Sequence, residues 1–145
     1  MTVTAIVKQK GQSGVATIHG DTTLEECIAV LARRRIGAVV VSRDGESIEG
    51  IVSERDVVRV LAEKGRDALE APVSRIMTRT VKTCSADERV DELLARMTQG
   101  RFRHMPVIEN GKMTGIVSIG DVVAFRLAEL ATEKTALEDM VKGGY

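Results

Sequence analysis

Two copies of a Ser-x-x-Asp motif stand where a short apolar stretch gives way to a helical pattern. They are Ser53 with Asp56 and Ser118 with Asp121. The first amides of a helix lack partners within it, so a hydroxyl and a carboxylate at this spacing can form a capping box. The same amides suit an anion, and a carboxylate beside them can accept both hydroxyls of a ribose. The spacing therefore predicts helix starts that are either simple caps or part of a binding site.

The motif belongs to a longer internal repeat. Residues 50–58 read Gly-Ile-Val-Ser-Glu-Arg-Asp-Val-Val and residues 115–123 read Gly-Ile-Val-Ser-Ile-Gly-Asp-Val-Val, with seven of nine positions identical. Such repetition indicates one supersecondary unit that occurs twice and buries its apolar surface against its copy. Both Ser-x-x-Asp pairs are then expected in equivalent places.

The residues around each copy predict the same succession of elements. An amphipathic helix is predicted before each copy of the repeated motif, and residues that favour a helix start stand just before each of these helices. The apolar faces are Leu24, Ile28 and Leu31, then Val90, Leu94 and Met97, and the starts are Asp21, Thr22 and Thr23, then Ser85, Asp87 and Glu88. The predicted strands are 15–18, 36–41 and 48–52, then 80–83, 102–108 and 113–117, with hairpin turns at 43–46 and 109–112 where Asp-Gly and Asn-Gly stand.

These elements predict an α+β fold. It consists of two β-α-β-β-α repeats that pack sheet to sheet as a pseudo-twofold pair, with a long C-terminal helix. The boundaries are an N-terminal segment at 1–14, repeat 1 at 15–66, a linker at 67–79, repeat 2 at 80–130 and a helical extension at 131–145.

The last helix carries an apolar stripe from Asp121 to about Lys142, where no Pro or Gly interrupts the pattern. Its members alternate in steps of three and four, as in a coiled-coil seam, and Lys134 interrupts them. They are Val123, Leu127, Leu130, Leu137 and Val141. The stripe either packs on its own domain or contacts a second copy of the chain.

Charge and composition exclude several classes of function. The 21 basic and 21 acidic residues balance, which disfavours nucleic-acid binding. No apolar run approaches the roughly 20 residues of a membrane span, and the start lacks a secretory signal. Cys27 and Cys84 form no C-x-x-C pair, so we expect packing roles for both and a cytoplasmic location. No catalytic or zinc motif occurs, so we expect neither an enzyme nor a metal site.

The chain resembles a tandem pair of CBS domains, the cystathionine-β-synthase type of regulatory repeat, also called a Bateman module. The resemblance covers residues 15–130 and is carried by 50–56, 115–121, His-Met-Pro-Val at 104–107 and the linker at 73–78. It implies an adenosine ligand in the cleft between the repeats: AMP, ADP, ATP, or sometimes NAD or S-adenosylmethionine. It also implies a homodimer that senses rather than catalyses, and the partner that it regulates is expected to be a separate protein.

The resemblance also implies roles for individual residues. Asp56 and Asp121 would hold ribose hydroxyls, with Ser53 and Ser118 beside them. The adenine would contact Thr17, Ala38, Val39, Val81, Thr83, Met105 and Pro106. The phosphates would contact Arg55, Arg103 and His104, which have no basic counterparts in the other repeat. If phosphates point toward the opposite repeat, Arg55 serves the Asp121 site, and Arg103 and His104 serve the Asp56 site.

Three alternatives stay open. The chain could be a ligand-free module that mediates dimerisation or protein interaction. Arg103 and His104 could protect a solvated edge strand by their charge rather than bind phosphate. If nucleotides bind, either one site or both could fill.

Overall fold

Each half of the chain folds into a three-stranded sheet with helices packed on one face, in a computed structural model that describes residues 1–10 and 15–142. Residues 11–14 and 143–145, assigned above to the N-terminal segment and the helical extension, lie outside the described residues. In each sheet the middle strand runs parallel to the first and antiparallel to the third. The α+β fold with two β-α-β-β-α repeats is thus confirmed. The elements are α1 Val3–Lys10, β1 Thr17–Ile18, α2 Leu24–Arg34, β2 Ala38–Val41, β3 Gly50–Ser53, α3 Glu54–Lys64, β4 Cys84–Ser85, α4 Val90–Gly100, β5 His104–Glu109, β6 Lys112–Ser118 and α5 Ile119–Lys142.

Two aliphatic cores lie on the outer faces of the two sheets. Leu24, Val39 and Val52 are fully buried in the first core, between its sheet and α2 and α3. Leu93 and Met105 are fully buried in the second. Each repeat therefore has its own helix-on-sheet core.

The inner faces of the sheets turn toward each other. Ala38 and Val40 alternate with Val39 along β2, and both are buried although they belong to neither core. Neighbouring residues of a strand point to opposite faces, so the other repeat covers these two side chains. One direct link between the repeats is the Met113 amide, which donates to the Glu46 carbonyl at 2.9 Å. This is the predicted sheet-to-sheet pairing.

The N-terminal segment contains a helix that belongs to the second core, although it precedes the first repeat. Val3 and Ile6 of α1 are buried there. The Val3 amide donates to the Glu88 carbonyl at 2.9 Å, and the Val90 amide donates to the Met1 carbonyl at 3.0 Å. The start of the chain is therefore a structural part of repeat 2.

Two local predictions in repeat 2 are wrong. Its first strand is Cys84–Ser85 rather than 80–83, because the chain pairs with Val107 only from Cys84 onward. Helix α4 follows Arg89, which makes no side-chain cap, so Ser85, Asp87 and Glu88 do not cap it. The Met1 carbonyl accepts the first amide of α4 instead.

The two hairpins also differ. Asn110 and Gly111 form the predicted tight turn, with φ of 52° and 77°. The turn predicted at 43–46 is instead part of a longer loop, because the Asp44 carboxylate accepts the amides of Glu46 and Ser47 at 2.9 and 2.8 Å. These bonds stabilise a wider loop than a two-residue turn.

Helix α5 runs for 24 residues, as the pattern predicts. Only Val122 and Phe125 of this helix are buried. Every member of the apolar stripe is exposed in the single chain, so packing on its own domain does not account for it. None of the helices within residues 1–10 and 15–142 is long and apolar enough to cross a membrane.

Candidate functional site

The first Ser-x-x-Asp motif forms a capping box at the start of α3. The Asp56 carboxylate accepts the Ser53 amide at 2.9 Å, and the Asp56 amide donates to the Ser53 hydroxyl at 3.3 Å. The Ser53 hydroxyl also donates to Asp56 Oδ2 at 3.1 Å, and the Arg59 guanidinium donates to Oδ1 at 3.0 Å. Asp56 is 7% exposed, whereas the Arg59 side chain is 54% exposed. Three donors therefore hold the Asp56 carboxylate, and one of them, Arg59, is largely exposed to solvent.

A cavity of about 410 Å³ lies beside Asp56, between the repeats. Repeat 1 and the linker supply one wall, and the end of α4 with the start of β5 supplies the other. Its lining includes five cationic side chains against two acidic ones. The cations are Arg55, Arg59, Lys82, Arg101 and Arg103, the acids are Glu54 and Asp56, and Gly37, Ile51, Ser53, Thr78, Thr80, Val81, Phe102 and His104 complete the lining. The excess of positive charge suits a phosphorylated ligand.

The second motif makes an equivalent cap at α5. The Ser118 amide donates to Asp121 Oδ2 at 2.8 Å, and the Asp121 amide donates to the Ser118 hydroxyl at 3.1 Å. The Lys10 ammonium also lies 2.8 Å from Oδ2. Although burial opposes the effect, the bonds from Lys10 and Ser118 hold the pKa of the Asp121 carboxyl below its usual range. Asp121 is therefore an anion whose charge is already paired.

A second cavity, of about 640 Å³, lies beside Asp121. Helix α1 supplies Lys10, the last residue of α2 and the residue after it supply two arginines, and α5 supplies Asp121. The other lining residues belong to the strands or lie just before β1 and β2. The lining consists of Lys10, Ala16, Arg34, Arg35, Ile36, Gly37, Ala38, His104, Ile116, Ser118 and Asp121. The two cavities are related by the repeat but differ in their charges.

His104 and Gly37 line both cavities. A Cβ on Gly37 would lie 3.0 Å from His104 Nε2, so the imidazole packs closely against the backbone of the other repeat. Burial lowers the pKa of His104, and Asp121 and Glu54 oppose this effect. The imidazole is accordingly held toward its neutral form at the junction of the two cavities.

The structure brings most of the predicted polar residues together. Ser53, Asp56, Arg103 and His104 line the first cavity, and Ser118 and Asp121 line the second, with His104 shared. Arg55 departs from the expectation: it lines the Asp56 cavity and not the Asp121 cavity.

The predicted adenine contacts are divided. Val81 lines the first cavity and Ala38 the second. Val39 and Met105 are fully buried in the two cores, because strand alternation turns them to the outer faces of their sheets. The remaining three, Thr17, Thr83 and Pro106, do not belong to either lining.

Several lining residues had no part in the sequence prediction. Arg59 lies three residues after Asp56 on one helix, and that spacing is a signal that could have revealed it. Arg101 ends α4 in the left-handed conformation, with φ of 57°, which turns the chain into the cavity wall. Lys10 could not have been found by spacing, because its contact with Asp121 depends on where α1 packs.

Comparison with known proteins identifies relatives across nearly the whole chain. The family model of the CBS domain matches residues 11–63 and 73–128. The mitochondrial CBS domain-containing protein CBSX3 of Arabidopsis thaliana is 34% identical, over 99% of this chain and 73% of its own length. The chain spans a much smaller share of several longer curated relatives, 26% of one of them.

Solved structures agree with the fold. The CBS-domain protein ATU1752 of Agrobacterium tumefaciens is 41% identical, covers 87% of this chain and 99% of its own, and superimposes with a TM-score of 0.83. The CBS domain protein PAE2072 of Pyrobaculum aerophilum, solved in complex with AMP, is 26% identical, covers 91% and 99% of the two chains, and has a TM-score of 0.76.

Proposed function

The chain belongs to the CBS-domain family as a tandem pair, and on that premise we propose that it is a regulatory module that binds an adenine nucleotide between its repeats. The observation that carries the proposal is the Asp56 cavity. There a carboxylate at a helix start lies among five cationic side chains that outnumber the acidic ones. A sugar with a phosphate attached meets both requirements at once.

The residues of the cavity divide into three groups that match the parts of a nucleotide. Asp56 accepts ribose hydroxyls, with Ser53 beside it. Arg103 and His104, from the opposite repeat, bind phosphate, and Arg55 binds it from the near side. Ile51 and Val81 offer apolar surface to the base. Arg59 swings away from Asp56 when the ribose binds, since its side chain is 54% exposed and water can solvate the guanidinium once the pair separates.

A relative's ligand supports this assignment. PAE2072 was solved in complex with AMP, and it shares the fold across 91% of this chain. We propose AMP or a related adenine nucleotide, such as ADP, ATP or NAD, as the regulatory ligand. Ligand occupancy then changes the affinity for a partner protein, because the two states bind that partner unequally. We assign no catalytic role to the chain, and we place it in the cytoplasm, where its two buried free thiols would remain reduced.

Calorimetric titration with AMP, ATP and NADH tests the proposal. The double variant Asp56→Asn with Asp121→Asn keeps the side-chain shape and removes both charges, and we expect its affinity to fall at least about tenfold. Asp67→Asn with Asp139→Asn, at two exposed positions outside both cavities, is the matched control. Equal affinity in the double variant refutes the site assignment. If the wild type binds none of the three nucleotides, the alternative of a ligand-free interaction module is correct.

We further propose that the chain is a homodimer joined through α5. The stripe on this helix is exposed, with Leu127 at 61% and Leu137 at 62%. The five residues of the apolar stripe, taken together with Lys134, have the three–four spacing of a helix-pairing seam over most of α5. A second copy of the chain carries the same helix, so its apolar stripe has the same spacing and can pair with the first.

The position of Lys134 selects the direction of pairing. In a parallel pair each Lys134 faces its own copy, and like charges repel. An antiparallel pair centred on Thr132 places Val123 against Val141, Leu127 against Leu137 and Leu130 against Lys134. The antiparallel arrangement therefore separates the two lysines and sets each of them against a leucine.

Light scattering tests the dimer. We expect twice the chain mass for the wild type and the single mass for Leu127→Glu with Leu137→Glu. Ala128→Glu with Thr135→Glu adds the same charge at exposed positions of the same helix outside the seam, and this variant should remain dimeric. A wild-type protein of single mass excludes the dimer.

A further inference from the structure

Lys10 reaches from outside the two repeats into the site of the second. It ends α1, which is anchored on repeat 2 through the buried Val3 and Ile6. The Thr4 hydroxyl and amide both bond the Ala86 carbonyl, at 2.8 and 2.9 Å. The helix is thus fixed at its start, and its last residue is held over the Asp121 cavity.

The ammonium of Lys10 makes two strong contacts there. Nζ lies 2.8 Å from Asp121 Oδ2 and donates to the Ile116 carbonyl at 2.9 Å. The two paired side chains are only 24% and 23% exposed. A carboxylate oxygen has about two acceptor sites, and Oδ2 already accepts the Ser118 amide and Lys10. A ribose diol that bonds both carboxylate oxygens must therefore displace Lys10.

The first repeat differs in the cation that pairs with its aspartate. Its cation is Arg59, which comes from the same helix as Asp56 and is 54% exposed. Asp56 also accepts the Ser53 amide and the Ser53 hydroxyl, and the hydroxyl can rotate toward a ligand. In repeat 2 the position that corresponds to Arg59 is Ala124, so Lys10 is the cation that pairs with the second aspartate.

We propose that Lys10 is an internal competitor for the Asp121 site, so that the first nucleotide binds at Asp56 and the second binds only when Lys10 is released. The inference rests on the proposed function and adds an order of filling to it. Release of Lys10 also frees the end of α1, so occupancy of the second cavity is linked to the N-terminal helix.

Calorimetric titration of the full chain with AMP tests this order. We expect two unequal sites in the wild type, the second at least about tenfold weaker. Lys10→Gln should tighten the second site about fivefold to tenfold and leave the first unchanged, because a partly buried ion pair no longer competes. Lys10→Arg keeps the cation and should behave as the wild type. Lys8→Gln, on an exposed position of the same helix, is the control.

The possible outcomes separate the two proposals. If Lys10→Gln leaves the second site unchanged, Lys10 does not compete, and if it weakens that site, Lys10 is a ligand contact; either result overturns the inference alone. Adding Asp121→Asn to Lys10→Gln should abolish the gain, and a gain that survives shows that it arose elsewhere. Absence of AMP, ATP and NADH binding in both the wild type and Lys10→Gln overturns the proposed function together with this inference.

Discussion

Gly50 and Gly115 occupy equivalent positions of the two repeats, but only Gly50 has no room for a side chain. A Cβ at Gly50 would lie 2.5 Å from Met77 Sδ and 2.9 Å from the Thr78 carbonyl oxygen. The linker crosses β3 at this point, and Thr78 and Ile51 exchange backbone hydrogen bonds of 2.9 and 3.0 Å. A Cβ at Gly115 would meet its nearest atom, on Val7, at 3.6 Å, which is ordinary contact.

Alanine at the two positions should therefore have opposite effects. Neither glycine has a positive φ, so alanine is allowed by the backbone at both. Gly50→Ala forces the buried Met77 and the linker backbone to move, and overpacking of this kind costs about 1–3 kcal/mol. Gly115→Ala gains up to about 1 kcal/mol, because alanine restricts the unfolded chain. At about 2–4 °C per kcal/mol, the melting temperatures should diverge by several degrees.

Urea unfolding followed by circular dichroism measures the free energy of unfolding of each alanine variant against the wild type. Gly50→Ala should also weaken nucleotide binding at the first cavity, since Thr78 is part of its lining. Gly115→Ala should leave that affinity unchanged. Equal destabilisation by the two substitutions would show that the linker does not restrict Gly50, and the reasoning from close approach would then be refuted.

Three further predictions follow. Burial raises the pKa of Cys27 to about 11 and that of Cys84 to about 12, so neither should react with iodoacetamide at pH 8 until the protein unfolds. Because the folded-state pKa values are raised, the contribution of the two thiols to the free energy of unfolding is fully present below the ordinary thiol pKa. That contribution is lost as pH rises toward the folded-state values. Because phosphate favours the charged imidazole, AMP affinity should rise more steeply on acidification in the wild type than in His104→Gln, as calorimetry between pH 5 and 7 would measure. Ile6→Ala should cost about 2–5 kcal/mol in urea unfolding, because its side chain fills the second core, whereas Lys8→Ala should have little effect.

The repeat made most of the fold predictable. Apolar spacing places Leu24 and Leu31 on the buried face of α2, and the structure has both in the first core. The Asn-Gly pair predicted the tight turn between β5 and β6 correctly. These features depend on neighbours in sequence, where period and turn chemistry are informative.

The errors arise where a distant partner decides the local structure. The strand at Cys84 is fixed by its pairing with β5, and α4 is capped by the Met1 carbonyl rather than by a nearby side chain. In the same way, the resemblance implied that Val39 and Met105 contact the adenine, whereas both side chains are buried in the cores. Strand position alone leaves open which sheet face a core will cover, and that face is set by packing.

The charges of the cleft bear on the choice between a nucleotide sensor and a ligand-free module. Arg55 and Arg59 of α3 correspond to Gly120 and Ala124 of α5, whereas Arg103, just before β5, corresponds to Gly37. The Asp56 cavity thus gathers five basic side chains against two acidic ones, and the Asp121 cavity gathers three against one. Like charges gathered in a cleft repel one another and lower stability unless an anion joins them. A module that only joined proteins would gain nothing from that repulsion, whereas a phosphate bound at the Asp56 cavity would relieve it.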